Sequence, residues 1–298
     1  MYKGYKYIDS DAHILEPADL WENYLEPEFR SEMPRHFAGY ENDPPTWHLE
    51  IHVADNPVLP NFPTGRGVML PGTEEAYREY ASKGFTPECY RVALERTGID
   101  YMVVYPTVGL YLTSVNGLSP ATAAAYRRAY NNWLHDFCAE CGGRVLGVGS
   151  VDLRDPEEAA HEARRCVKDL GFTAIHINPE PVDVHPLHDP VFDPLWSELE
   201  DLDVPLGVHV AAGTPRGQVG THYFPDWALG RSVAAFTIGN MLASLSLIAG
   251  GVLERHPRLR VAHLESGAGW VAFWVDRMMA GIQGGSRHLA MQGLTMAP

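Results

Sequence analysis

The sequence lacks any run of 18 or more apolar residues, so no transmembrane helix of ordinary length is predicted. Its first residues contain no apolar segment of the kind that signal peptides carry, and we therefore expect a cytoplasmic location. Basic residues are few: 23 lysines and arginines stand against 38 acidic residues, for a net charge of −15. A surface that binds nucleic acid or an anionic membrane needs the opposite balance, so we expect neither partner.

Cysteine is scarce as well. Four cysteines in 298 residues are too few for a disulfide framework. Cys138 and Cys141 have the Cys-x-x-Cys spacing, but no second pair of this spacing completes a zinc site. Both lie in a stretch with a helical pattern, which favours buried thiols on a helix over a redox or metal role.

No Gly-x-Gly-x-x-Gly segment opens a helix after the first predicted strand, so a dinucleotide site is unsupported. The sequence instead contains six short apolar runs, often β-branched, which are typical of strands buried on both faces. They are residues 7–11, Tyr101–Tyr105, 145–151, 173–177, 204–210 and 259–264. Helical patterns occur at residues 121–141, 156–170, 194–202, 232–255 and 271–279. Regular alternation of this kind implies a parallel sheet with right-handed crossovers.

The polar candidates for chemistry sit at the carboxyl ends of the first, fifth and sixth predicted strands. A barrel gathers such ends around one mouth, whereas an open doubly wound sheet spreads them apart, so we favour the barrel. The fold class is α/β: one domain over residues 1–298, built as a TIM-like (β/α)8 barrel. Residues 16–83 form a long insertion, read as a lid. Because only six strands are found, we expect the last two strands to be missing from this chain.

The densest group of side chains that could bind a metal or exchange protons is Asp9-Ser10-Asp11-Ala12-His13, directly after Tyr7 and Ile8. In a strand, residues i, i+2 and i+4 point to one face, so Asp9, Asp11 and His13 would project together. Carboxylate and imidazole groups converging at a strand end are typical of divalent metal sites. The alternative is a turn with a chance histidine.

Three later histidines are further candidates. His209 ends the fifth run and would be satisfied there by a metal or by the backbone. His263 ends the sixth run and is followed by small residues that let a substrate approach closely. His176, within the fourth run, is either a pocket-lining residue that binds substrate or a packed core histidine. Arg216, in the loop after the fifth run, either binds a substrate carboxylate or is solvated.

These segments together resemble the aminocarboxymuconate-semialdehyde decarboxylase-like group of the amidohydrolase-related (amidohydrolase 2) family. The resemblance covers essentially the whole chain. It is carried by IDSDAHILEP at 8–17, GID at 98–100 with YPT at 105–107, HDP at 188–190, FDPLW at 192–196, VPLGVH at 204–209, and GGVLERHP at 250–257 leading into HLESGAGW at 263–270.

The resemblance implies a metal-dependent (β/α)8 barrel of the metal-dependent hydrolase type, binding one divalent ion, Zn²⁺ or Mn²⁺. By that pattern Asp11, His13 and His209 are metal ligands and His263 is the catalytic histidine. The first-strand pair is Asp-x-His rather than the His-x-His of part of the family, and the added hard oxygen shifts preference toward Mn²⁺. The family's last aspartate ligand has no counterpart here, and Asp276, on a predicted helix, does not take that role.

The function implied is nonoxidative decarboxylation of a small, aromatic-derived carboxylic acid. The alternative is hydrolysis of a C–N, C–O or C–C bond in a small molecule, because hydrolases and decarboxylases of this kind use nearly the same groups. A second alternative is a catalytically incomplete fragment. The expected partner is a small-molecule substrate, and a homodimer is left open.

Overall fold

The computed structural model describes residues 4–39, 46–53, 56–63, 74–113, 115, 117–179, 185–210, 219, 223–224 and 227–284. Its strands are β1 Ile8–His13, β2 Arg35–Gly39, β3 Thr46–Val53, β4 Asn56–Pro63, β5 Tyr101–Tyr105, β6 Val145–Ser150, β7 Ala174–Ile177, β8 Leu206–Val208 and β9 Val261–His263. Its α-helices are α1 Leu20–Tyr24, α2 Glu74–Ala81, α3 Pro87–Thr97, α4 Gly109–Thr113, α5 Pro120–Glu140, α6 Pro156–Lys168, α7 Asp193–Leu202, α8 Ala228–Ala234, α9 Asn240–Ile248, α10 Val252–Arg255 and α11 Val271–Gly284. Two 3₁₀ helices, Pro27–Glu32 and Pro190–Phe192, and a π-helical turn, Ala235–Gly239, complete the description.

Six strands form one parallel sheet in the order β1-β5-β6-β7-β8-β9. Each corresponds to one predicted run, so the six-strand prediction is confirmed. The order follows the chain except for β2–β4, which lie in a separate sheet. Helices connect successive strands of the parallel sheet, as the alternation of patterns requires.

The parallel sheet is curled. Neighbouring strands lie about 4.8 Å apart, so on a flat sheet β1 and β8 would be separated by roughly 19 Å. The side chains at their carboxyl ends nevertheless meet, with 3.2 Å between His13 Nε2 and His209 Nε2. The described strands therefore form a half-barrel of the TIM type, and the predicted fold class is confirmed.

Two helices begin at residues whose side chains cap them. The Asp155 side chain accepts a hydrogen bond from the backbone N–H of Glu158 at the start of α6, with Pro156 in the first turn. Ser119 caps α5 in the same way. The buried face of α5 includes Tyr126 and Tyr130, which pack in the core cluster beneath the sheet. Among the described residues, no helix is both long and apolar enough to cross a bilayer.

The segment between β1 and α3 is more regular than the sequence indicated. No strand was predicted there, yet β2, β3 and β4 form an antiparallel sheet in that order. Three prolines in β4 hid its pattern, because proline is tolerated in a sheet only at edges and bulges. β4 is an edge strand of its sheet with register shifts against β3, which explains how the prolines are accommodated.

The predicted helix over residues 232–255 is interrupted. α8 passes into a π-helical turn before α9 begins at Asn240, and α10 follows Gly251, whose φ of +82° only glycine adopts easily. π-Turns insert an extra residue per turn and are frequent at functional sites. Here the turn directly precedes a fully buried asparagine that contacts His263.

Candidate metal centre

Asp11 and His13 lie at the carboxyl end of β1. The register between β1 and β5 shifts between Asp9 and Ala12, which breaks the strict alternation of side chains. The Asp9 carboxylate accepts a hydrogen bond from the Asp11 backbone N–H at 3.2 Å. Asp9 is not in the ligand group formed by its neighbours, so the predicted convergence of all three side chains applies to Asp11 and His13 alone.

His209 follows β8 directly and is fully buried. Ligand atoms of Asp11, His13 and His209 all lie within 4.8 Å of one another, and we call these residues the Asp-His-His cluster. His209 Nε2 is 3.2 Å from His13 Nε2 and 3.5 Å from Asp11 Oδ1. The structure thus brings together the three side chains that the sequence predicted as ligands.

The hydrogen bonds of the two histidines fix the direction of their lone pairs. His13 Nδ1–H donates to the Pro106 carbonyl at 2.9 Å, and His209 Nδ1–H donates to the Val210 carbonyl at 2.8 Å. With Nδ1 protonated in each neutral ring, both Nε2 atoms are acceptors and face each other. Asp11 Oδ1 is buried beside them without a hydrogen-bond partner. Two facing acceptors and an orphaned carboxylate oxygen fit a cation, and this donor set suits a divalent ion.

The electrostatics of the cluster agree with this fit. Burial, and then the neighbouring His209, lower the pKa of His13 to about 4, so the ring is neutral at physiological pH and able to bind a metal. Burial opposes ionisation of Asp11, but the neighbouring His209, His13 and the Glu265 backbone N–H together bring its pKa below the ordinary value. Asp11 and His13 are therefore held in the protonation states that metal ligands need.

The aromatic ring of Tyr105 packs beside two of the histidines. The Tyr105 ring lies 5.6 Å from the His209 ring and 6.1 Å from the His176 ring, measured between centroids. A Cβ on Gly207 would lie 2.7 Å from the Tyr105 hydroxyl, so only glycine fits there. The absence of a side chain at Gly207 therefore leaves the space that the Tyr105 ring occupies.

His176, predicted to bind substrate or to pack in the core, is fully buried in β7. Its Nδ1 lies 3.3 Å from Ser150 Oγ, and its ring centroid is 6.3 Å from that of His209. Burial, and next His209, keep its pKa well below the ordinary value. Its role in substrate binding stays a prediction. Arg216, the other predicted substrate residue, lies outside the described residues.

His263 ends β9, where its Cα is in register with that of Val208 on β8. The Asn240 amide donates to the Phe236 and Leu264 carbonyls at 3.2 Å each, so its Oδ1 faces His263. His263 Nδ1–H must therefore donate to that oxygen, at 2.9 Å, which leaves Nε2 to exchange protons. Burial lowers the pKa of His263.

Glu265 was quoted in the sequence motif but not identified as a site residue. Its backbone N–H donates to Asp11 Oδ2 at 3.1 Å, and its Oε2 lies 3.4 Å from His209 Nε2. Its φ of +50° is in the left-handed region, where a non-glycine residue costs on the order of 1–3 kcal/mol. The sequence signal was its position two residues after His263, but the left-handed turn could not be foreseen.

Glu16 anchors the loop that supports His13. It is fully buried, and its carboxylate accepts hydrogen bonds from the three backbone N–H groups of residues 107–109, at 2.9–3.0 Å. These groups directly follow Pro106, whose carbonyl orients His13. Burial raises the pKa of Glu16 to about 7 despite these bonds. Partners of this kind, behind the ligands, fix the orientation of a metal-binding ring.

Other sequence candidates do not reach the cluster. Cys138 and Cys141 are free thiols, and burial raises their pKa values to about 12 and about 11, which makes both unreactive.

A cavity of about 510 Å³ is lined by residues between 224 and 238, among them Phe224, Trp227 and Thr237. The lining residues that the structure describes include no titratable side chain, so they supply no acid–base or metal chemistry.

A family model described as amidohydrolase matches residues 8–292. The chain belongs to the amidohydrolase family. γ-Resorcylate decarboxylase from Rhizobium sp. (strain MTP-10005) is 33% identical over 164 residues, which is 53% of this chain and 49% of that enzyme. This amidohydrolase chain thus spans about half the length of the curated relatives it matches.

Two solved structures share the fold. An amidohydrolase from Mycobacterium avium subsp. paratuberculosis K-10 superposes with a TM-score of 0.72 at 21% identity, over 95% of this chain and 79% of that one. The 5-carboxyvanillate decarboxylase from Novosphingobium aromaticivorans DSM 12444, complexed with manganese and 4-hydroxy-3-methoxy-5-nitrobenzoic acid, gives 0.63 at 21% identity, over 96% and 72% of the two chains. At these identities the likeness concerns the fold alone.

Proposed function

We propose that this amidohydrolase is a metal-dependent decarboxylase of a small aromatic carboxylic acid. The observation that carries the proposal is the Asp-His-His cluster, in which two imidazole lone pairs and an unpartnered carboxylate oxygen converge. Support comes from the relatives, since γ-resorcylate decarboxylase matches in sequence and 5-carboxyvanillate decarboxylase matches in fold.

Asp11, His13 and His209 would hold the ion. A bound divalent ion would supply positive charge to orient the substrate and to stabilise negative charge that develops on its oxygens. The hard carboxylate donor, and the manganese in the 5-carboxyvanillate decarboxylase structure, favour Mn²⁺ over Zn²⁺. Pro106 and Val210 orient the two imidazoles through their carbonyl groups.

His263 would supply the proton from its protonated form, which is the minor form at physiological pH because burial lowers the pKa of the ring. As the bond between the ring carbon and the carboxylate breaks, carbon dioxide leaves and the electron pair stays on the ring carbon. Protonated His263 donates its Nε2 proton to that carbon and is reprotonated from solvent. Burial lowers its pKa and so makes the protonated ring the stronger acid. Asn240 keeps Nδ1 as the donor, so the exchangeable proton is the one on Nε2.

Hydrolysis is the second candidate, and one observation favours it. The lowered pKa of His263 keeps the ring neutral at physiological pH, which is the form that accepts a proton from water. The same residues would then act on a scissile bond in place of a carboxylate.

The test uses the purified chain loaded with Mn²⁺ or with Zn²⁺ and offered γ-resorcylate or 5-carboxyvanillate. We expect release of carbon dioxide and the decarboxylated phenol, with the Mn²⁺ form more active. His263→Asn should keep the metal and lower kcat by about 10²-fold or more, the scale of losing a general acid. An ester- or amide-cleaving activity with no carbon dioxide release would favour hydrolysis, and stoichiometric metal without either activity would reject both.

A further inference from the structure

A fourth potential ligand atom, Glu265 Oε2, lies beside His209 Nε2, next to the Asp-His-His cluster. His209 Nε2 lies 3.2 Å from His13 Nε2, 3.5 Å from Asp11 Oδ1 and 3.4 Å from Glu265 Oε2. Two ligand atoms bound to the same ion at about 2.0–2.2 Å are separated by about 2.8–3.6 Å, for angles between octahedral and tetrahedral. All three distances from His209 Nε2 fall in this range.

The geometry points to Glu265 as a further carboxylate ligand of the ion held by the Asp-His-His cluster. This assignment rests on the metal site of the proposed function and adds a residue to it. Two carboxylates and two neutral imidazoles balance the charge of a divalent ion, whereas Asp11 alone leaves one positive charge uncompensated. A second hard oxygen ligand also favours Mn²⁺.

The backbone of Glu265 supports the same assignment. Its N–H donates to Asp11 Oδ2, which leaves Asp11 Oδ1, the oxygen without a hydrogen-bond partner, to face the ion. One residue thus orients the first carboxylate and supplies the second. The left-handed φ of +50° is what turns the side chain of Glu265 back toward β1 and His209, at a position where glycine would be easier to accommodate.

The Glu265 side chain reaches the cluster from a more exposed position than His209 does. The Glu265 side chain is 49% exposed, while that of His209 is fully buried. The carboxylate therefore lies on the solvent side of the cluster, whereas the His209 imidazole is enclosed by protein. An ion arriving from solvent would meet this carboxylate beside the three residues of the cluster.

The test measures Mn²⁺ affinity of the full chain by calorimetric titration, without any substrate. We expect Glu265→Gln to raise the Kd for Mn²⁺ at least tenfold. Asp276→Asn, which removes one charge from exposed α11, should leave the Kd unchanged and serves as the matched control. Glu265→Gly should weaken binding as much as Glu265→Gln while raising the Tm of the metal-free protein, because it relieves the left-handed backbone.

The absorption spectrum of bound Co²⁺ reports directly on which side chains bind the ion. Its d–d absorption should change in position and intensity in Glu265→Gln if a carboxylate leaves the coordination sphere. An unchanged Mn²⁺ Kd and an unchanged Co²⁺ spectrum in both Glu265 variants would overturn the assignment. Loss of activity with metal affinity intact would also overturn it, since Glu265 would then act on protons. Tight Mn²⁺ binding that depends on Glu265, in a chain that decarboxylates nothing, would reject the proposed function and uphold the ligand.

Discussion

The tautomer of His263 is determined by one neighbour, Asn240. Asn240 donates its amide protons to two backbone carbonyls, so its oxygen must accept from His263 Nδ1. A sequence alone does not show which ring nitrogen of a histidine carries the proton. In His263 the proton is on Nδ1, because both amide N–H groups of Asn240 already donate to backbone carbonyls. The asparagine is fully buried, so water does not compete for its oxygen.

Asn240→Asp places a carboxylate against His263 Nδ1–H. We expect the pKa of His263 to rise by about 1–3 units, because the charged ring gains an opposite charge at hydrogen-bond distance. Titration of the His263 ring signals by NMR in the metal-free protein measures the shift. Asn23→Asp, on the exposed part of α1, is the control and should leave His263 unmoved. An unchanged titration in Asn240→Asp, in protein whose Tm shows that it is folded, would contradict the assigned hydrogen bond.

At the scale of single elements, the loop after β5 depends on one buried carboxylate, that of Glu16. Folded Glu16 has a pKa raised to about 7, against an ordinary value of 4.5, so the folded state holds this proton more tightly than the unfolded state does. The stability that it contributes is complete below about pH 4.5 and is lost as the pH rises through 7. The loss is at most about 1.4 kcal/mol per pH unit.

Glu16→Gln removes this titration. We expect the free energy of unfolding of the variant to depend less on pH between 5 and 8 than that of the unmodified protein. The variant should also be less stable overall, by about 1–3 kcal/mol, because the amide cannot accept from all three backbone N–H groups. Urea unfolding of the metal-free proteins at several pH values measures both effects. Glu22→Gln, on the exposed part of α1, should keep the original pH slope.

β8 cannot accommodate a side chain at Gly207, because the Tyr105 ring packs against the strand there. A Cβ at Gly207 would lie 2.7–3.2 Å from three atoms of the tyrosine ring and hydroxyl. Gly207→Ala should therefore push the ring toward His209 and destabilise the fold by about 1–3 kcal/mol, with weaker metal binding as well. Gly269→Ala, whose Cβ would meet nothing within 4 Å, should change neither quantity. Equal unfolding curves for the two variants would show that the ring is not tightly packed.

The elements of the half-barrel were predictable because buried parallel strands are continuous apolar runs. The ends of the strands were not predictable. Residues 204–210 predicted a longer strand than Leu206–Val208, since the apolar run continues past the last hydrogen bond to the neighbouring strand. The ligand positions followed from the convergence of strand ends. Glu265 and Asn240 could not be placed, because one depends on a left-handed residue and the other on a π-turn inside a predicted helix.

At the scale of the whole molecule, metal binding and folding stability are linked. A ligand that binds only the folded state stabilises it by about 2.7 kcal/mol at a free concentration 100 times its Kd. We expect Mn²⁺ to raise the Tm by several degrees and excess chelator to reverse the change. His209→Ala should abolish the shift, whereas His161→Ala, on the exposed surface of α6, should retain it. A Tm indifferent to Mn²⁺ in the unmodified chain would argue against the metal centre.

The hydrogen bond from Glu265 to Asp11 joins residues 254 positions apart in the chain, and His13 meets His209 across 196 positions. During synthesis the first two ligands leave the ribosome long before their partners exist. Contacts of such high sequence separation form late in folding, after the intervening strands have paired. The ion would therefore not act as a nucleus for the growing chain. It would be captured only when the curl is complete, so its uptake marks a finished fold.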